Sequence, residues 1–149
     1  MKLVKSIVET DVNKLHRVSD KVDLNNDNLV DRLESTLMYT FQKLKGKAQG
    51  ISAIQCGMPY SAILLRYEKG MPPIVVYNPY VIKSIGSRKS NEGCLSEGDK
   101  RYIVKRPLLI KVGYYERNKG DVVKWLPYKK ARIFMHEYDH TKGILLQDK

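Results

Sequence analysis

The chain has 149 residues, 42% of them hydrophobic and 29% charged, with a formal net charge of +11 and two cysteines. That length suits one domain, residues 1–149, with a buried core and no need of a disulfide scaffold. The two thiols suit a reducing compartment, so a cytoplasmic location is expected.

No apolar run approaches the length needed to span a bilayer, and no membrane partner is expected. The opening "MKLVKSIVETDV" has basic residues but lacks the sustained apolar core of a secretory leader. Lysine is spread along the chain and is densest at "KLKGK" (43–47) and "YKKAR" (128–132). This charge reads first as a solvated basic surface. The second reading is attraction to an anionic partner such as ribosomal RNA.

In chain order, the clearest helix covers about residues 28–45. Val30, Leu33, Leu37, Phe41 and Leu44 recur at helical spacing, with Asp27 as N-cap and Gly46 as stop. Its apolar stripe is expected to lie on a sheet. "SAILLRYE" (61–68) and "PIVVYNPYVIK" (73–83) are rich in β-branched and aromatic residues and read as strands. "RPLLIKVGYYE" and "DVVKWLPY" flank Arg117-Asn118-Lys119-Gly120 and read as a hairpin. A second helix is expected at about 129–141, closed by Gly143 and followed by a short strand "ILLQ". The fold class expected is α+β: largely antiparallel strands around the second helix, with an N-terminal helix and helices at the ends of the strand set.

The second helix carries two of the three histidines, within "RIFMHEYDHTKG" (132–143). His136 and His140 are four apart and share a helix face, where two imidazoles can grip one metal ion. Glu137, beside them, is placed to act as general base toward a metal-activated water. A solvated charged helix face is the bland alternative. After His140 the last carboxylate is Asp148, next to a chain end expected to fray, so a third ligand is sought upstream.

The upstream candidate is Cys94 in "NEGCLSEG"; its bland reading is an inert buried thiol. In "AQGISAIQCG", Gly50 would let a substrate backbone come close, and the Gln55 amide could donate to an oxyanion.

Taken together and in order, "GISAIQ", "EGCLS" and "HEYDH", with "KRP" before the hairpin, resemble the peptide deformylase family over nearly the whole chain. The resemblance implies one divalent metal on Cys94, His136 and His140, with Fe2+ first and Zn2+ or Ni2+ as substitutes. It implies Glu137 as proton carrier, with Gln55 and the Leu95 N–H as oxyanion donors. Gly50 and Arg101 would contact the peptide, and Ile133 would line the methionine pocket or serve the core.

The implied substrate is an N-formylmethionyl nascent peptide, possible work at the ribosome surface follows, and formate is the second product. Asp139 reads as a solvated charge or as a partner of Arg106.

The chain departs from the family pattern at Ala48, where a positive φ would be strained, and at Ser52, Ile54 and Met135. "SEGD" lacks the usual proline. Three rival readings stand: a metallopeptidase that does not need Cys94, a deformylase-like protein without activity, and a structural zinc centre that adds Cys56 in an RNA-binding module.

Overall fold

The computed structural model describes residues 8–149, so residues 1–7 of the opening stretch read for a leader lie outside the described residues. Among the described residues there are three helices: α1 (Val12–Leu15), α2 (Asp27–Lys43) and α3 (Tyr128–Thr141). The strands are β1 (Gly50–Ser52), β2 (Ala62–Leu65), β3 (Ile74–Ile85), β4 (Arg88–Gly93), β5 (Arg101–Arg106), β6 (Leu109–Glu116) and β7 (Gly120–Pro127). β1, β2, β3, β6 and β7 form one sheet in that order, and β4 and β5 form a second. Every one of these strand ladders is antiparallel. The α+β class expected from the pattern is the one observed.

In chain order α2 precedes the strands and α3 follows them, and in space they cover opposite faces of the larger sheet. Side chains alternate between faces along a strand. Ala62 and Leu64 of β2 accordingly join Val30, Leu33, Leu37 and Phe41 of α2 in one core. Ile63 and Leu65 join Ala131, Ile133 and Phe134 of α3 in another. This is why all of β2 is buried. Each Leu or Phe so enclosed contributes about 1.5–3 kcal/mol of burial.

α2 begins one residue earlier than the spacing suggests. Asn26, rather than Asp27, is the N-cap, its side chain accepting from the Leu29 N–H. The helix stops at the left-handed pair Lys45 (φ 50°) and Gly46 (φ 80°), a turn for which glycine is suited. α3 ends at Gly143 (φ 72°), where any Cβ would collide with the His16 carbonyl.

Two expectations for the chain end need correction. "ILLQ" is not a strand: Leu146–Asp148 form a 3-10 turn. Nor is Asp148 left loose. It accepts from the Leu145 N–H at 2.8 Å and pairs with His16 at 3.1 Å. The Leu146 and Gln147 N–H groups both donate to Glu97 at 3.1 Å, fastening this turn to the loop that carries Cys94. Local strand propensity loses here because the backbone donors are satisfied by a distant carboxylate. Among the described residues, no helix is long and apolar enough to cross a membrane.

Candidate active site

The site forms where α3 passes beneath two short segments that the strand pattern did not resolve. One is β1 with the 3-10 turn Ala53–Cys56; the other is the Cys94 loop, with its 3-10 turn Leu95–Glu97, between β4 and β5. β4 and β5 escaped the periodicity reading because their inward positions carry Ser90, Glu92 and Arg106 with Val104, not an apolar alternation.

Cys94, His136 and His140 each offer a ligand atom, and these atoms lie within 4.8 Å of one another. Cys94 Sγ is 3.4 Å from His140 Nε2. The two imidazoles come together because positions four apart face the same way, their ring centroids 5.3 Å apart. A thiolate and two imidazoles from three buried or half-buried side chains are a donor set suited to zinc or ferrous iron. His140 Nδ1 is buried without a hydrogen-bond partner among the described residues.

Behind His136 runs a buried chain of charges. Its Nδ1 donates to Glu92 Oε1 at 3.0 Å, leaving Nε2 for the interior of the site. Arg106, 1% exposed, donates to both Glu92 oxygens at 2.8 and 2.9 Å and to Asp139 Oδ2 at 2.7 Å. Lys149 reaches the same Asp139 oxygen at 3.2 Å. The pairing of Asp139 with Arg106 therefore forms, and Asp139 is no solvated helix charge.

Burial pushes the Glu92 carboxyl up, but hydrogen bonds from His136 and Arg106 outweigh it and hold it well below the ordinary carboxylate range. Burial lowers His136, but hydrogen bonds to Cys94 and Glu92 raise it to about 10. His140 is held well below its ordinary value by burial, then by the charge of His136.

Glu137 is 5% exposed, and its Oε1 has no hydrogen-bond partner among the described residues. Burial raises its pKa to about 7, against the pull of His136 and Arg106. A Cβ at Gly50 would lie 2.7 Å from the Leu64 carbonyl and 2.9 Å from Glu137 Cγ. Glycine is thus required there to make room for Glu137, a second demand on a residue singled out for substrate approach.

Gln55 is 3% exposed and directs its amide NH2 to Ser96 Oγ at 2.9 Å and Cys94 Sγ at 3.4 Å. Its Oε1 accepts from the Ser52 N–H at 3.1 Å and the Ser52 hydroxyl at 3.2 Å. Ser52, noted as a departure, therefore fixes which way the Gln55 amide points. Ile54 is equally accommodated, packed with Leu15 and Leu145. Ala48 is not among the residues with positive φ, so the strain expected there does not arise.

Leu95 opens its 3-10 turn, a position whose N–H has no partner within the helix. Gly50, Gln55, Leu95, Arg101 and Ile133 all line one cavity of about 510 Å³ with Cys94, His136 and Glu137. Ile133 lines this cavity and also belongs to the core beneath α3. Sequence reasoning missed Glu92 as the support of His136; it stands two residues before Cys94 in the quoted motif.

Cys56 is outside the three-residue group. Burial pushes its thiol up to about 11, against a hydrogen bond with Thr40. A four-ligand closed centre is not what these residues build.

The comparisons with known proteins agree with this geometry. A family model described as polypeptide deformylase matches residues 4–149. The chain is 33% identical over 139 residues to a peptide deformylase of Lachnoclostridium phytofermentans, covering 93% of this chain and 82% of that one. It is 32% identical over 149 residues to that of Alkaliphilus metalliredigens, covering 100% and 96%. The crystal structure of peptide deformylase from Thermotoga maritima superposes with a TM-score of 0.84 at 26% identity, covering 96% of this chain and 95% of that one. A Met-Ala-Ser-bound class I type b peptide deformylase from Acinetobacter baumannii gives 0.83 at 27%, covering 95% of each. With its three motifs gathered around one cavity and its whole length matched, the chain belongs to the polypeptide deformylase family.

Proposed function

We propose that this chain, acting as one deformylase domain, hydrolyses the formyl amide of N-formylmethionyl peptides to formate and a free amino terminus. The observation that carries the reading is the cavity of about 510 Å³ lined by Glu137, Cys94 and His136, with a ligand atom of His140 within 4.8 Å of those of Cys94 and His136. Cys94, His136 and His140 would hold a divalent cation, which would supply Lewis acidity toward a carbonyl and toward water. Fe2+ is our choice of ion, on family resemblance.

The chain's own residues do the remainder. The Glu137 carboxylate takes the proton of the attacking water and returns it to the departing amine. A pKa of about 7 suits a group that must accept and release a proton near neutrality. The Gln55 N–H that lies on Cys94 Sγ at 3.4 Å, a weak acceptor, turns with the Leu95 N–H to the carbonyl oxygen as charge develops on it, while the other Gln55 N–H stays on Ser96. Ile133 receives the methionine side chain, while Gly50 and Arg101 flank the peptide. Glu92 keeps His136 in one orientation.

We place this activity in the cytoplasm, on chains leaving the ribosome, a setting that suits a net charge of +11.

The test is formate release from formyl-Met-Ala-Ser by anaerobically prepared, iron-loaded protein. Glu137→Ala should keep its metal, which Glu137 does not ligate, and lose roughly 10²–10⁴-fold in rate. Cys94→Ala should lose the metal, whereas a peptidase using the same helix would keep both metal and activity. Iron-loaded wild type that releases no formate would refute the reading.

A further inference from the structure

Resting on that reading, the outer lining of the cavity addresses which peptides pass through it. Lys47, Lys100, Arg101 and Arg132 line the same cavity as the buried machinery. The first three are exposed and Arg132 is half-buried, so these four form the mouth. They arrive from three separate segments: the left-handed turn after α2, the turn leading into β5, and the first half of α3. This is a convergence in space, not a run of charge along the chain.

The mouth is poor in counter-charge. Its one exposed carboxylate is Asp99, since Glu92 and Glu137 lie buried inside. A cation with carboxylates in reach pairs with them, as Arg117 does with Asp31 at 2.6 Å and Glu34 at 3.3 Å. Among the described residues none of the four mouth cations has such a pair. Arg101 is held instead by the neutral Asn91, through Oδ1 at 3.2 Å and the backbone carbonyl at 2.9 Å. Arg132 is held by the neutral Gln49 amide at 3.2 Å. Two guanidinium groups are thus fixed in place while keeping their full charge.

We propose that the mouth selects peptides with acidic side chains at the second to fourth positions after the formyl group. A peptide whose formyl end reaches Glu137 must leave past these cations, each extended residue adding about 3.5 Å. Carboxylates on those residues meet four cations from three chain segments against the single exposed carboxylate Asp99. Lysines there meet like charge and are disfavoured.

The test compares kcat/KM for formyl-Met-Asp-Glu, formyl-Met-Ala-Ser and formyl-Met-Lys-Lys, all with amidated ends, in about 50 mM and about 500 mM salt. At low salt the order should be acidic, neutral, basic, with about fivefold to tenfold between the first two, and high salt should compress it. The double variant Lys47→Glu/Arg132→Glu should reverse the order. Calorimetric binding of the deformylated product peptides should show the same ranking without any turnover.

Absence of formate release from every peptide would count against the deformylase reading, and the product-peptide ranking would still decide the proposal. Equal values for the three peptides, or a ranking unchanged by charge reversal, would overturn it. So would displacement of no peptide order but salt-sensitive inhibition by an RNA oligonucleotide, which would assign the mouth to nucleic acid.

Discussion

The interior of the site and its mouth hold their charges in opposite ways. Inside, Asp139, Arg106, Glu92 and His136 form a continuous series, capped at the surface by the exposed Lys149, in which each charge has a partner within 3.2 Å. At the mouth, Arg101 and Arg132 are held by neutral amides, and the lysines are exposed. Away from water an unpaired charge is prohibitively costly, so the interior must be balanced. At the surface water tolerates the imbalance, and the charge stays free to act on a ligand. Reaction geometry is thus stored in the rigid part, and choice of substrate in the exposed part.

The strongest way to break that contrast is to open the interior series. Arg106→Met leaves Glu92 and Asp139 without their buried cation and should cost about 3–5 kcal/mol in urea unfolding of the metal-free protein. Metal affinity should also fall about 10- to 100-fold, read by competition with a chelator, because Glu92 no longer holds His136 in place.

Next in size is the pH response of Glu137. Its folded pKa, raised by burial from 4.5 to about 7, means it contributes stability below about 4.5 that is lost as pH rises through about 7. Metal-free Glu137→Gln should therefore match wild type at low pH and become more stable by about 3 kcal/mol above pH 7. Identical pH profiles for the two proteins would mean that Glu137 is not desolvated.

Smaller again, Ser52→Ala removes one of the two hydrogen bonds to Gln55 Oε1 and should cost about 1 kcal/mol. If the bond orients the Gln55 amide for the reaction, kcat falls while KM for formyl-Met-Ala-Ser holds. An equal change in both would leave the serine as packing alone. The smallest effect belongs to the mouth: Lys100→Ala should move stability by no more than about 0.5 kcal/mol, since that side chain is exposed and unpaired among the described residues.

Much of this protein is legible in its residues read in order. The stripe Val30, Leu33, Leu37, Phe41 marks α2, and Gly120, with φ 80°, closes the β6–β7 turn where the Asn-Lys-Gly signal placed it. His136, Glu137 and His140 are positioned by helical spacing alone. These features are local, because the backbone period brings together residues three, four or two apart.

Other features depend on chain segments meeting from far away. Cys94 reaches His140 across 46 positions, Arg106 reaches Asp139 across 33, and Glu92 reaches His136 across 44. Charged inward positions hid β4 and β5 from an apolar-alternation reading, and Glu97 drew the chain end into a turn instead of a strand. What the sequence determined by itself was therefore the set of elements with regular apolar spacing and the residue types of the metal site. Tertiary structure alone decided the buried series of charges, the neutral tethers of the mouth arginines and the room Gly50 leaves for Glu137. The physical reason is that burial fixes which charges must find partners, and burial exists only once the segments have packed.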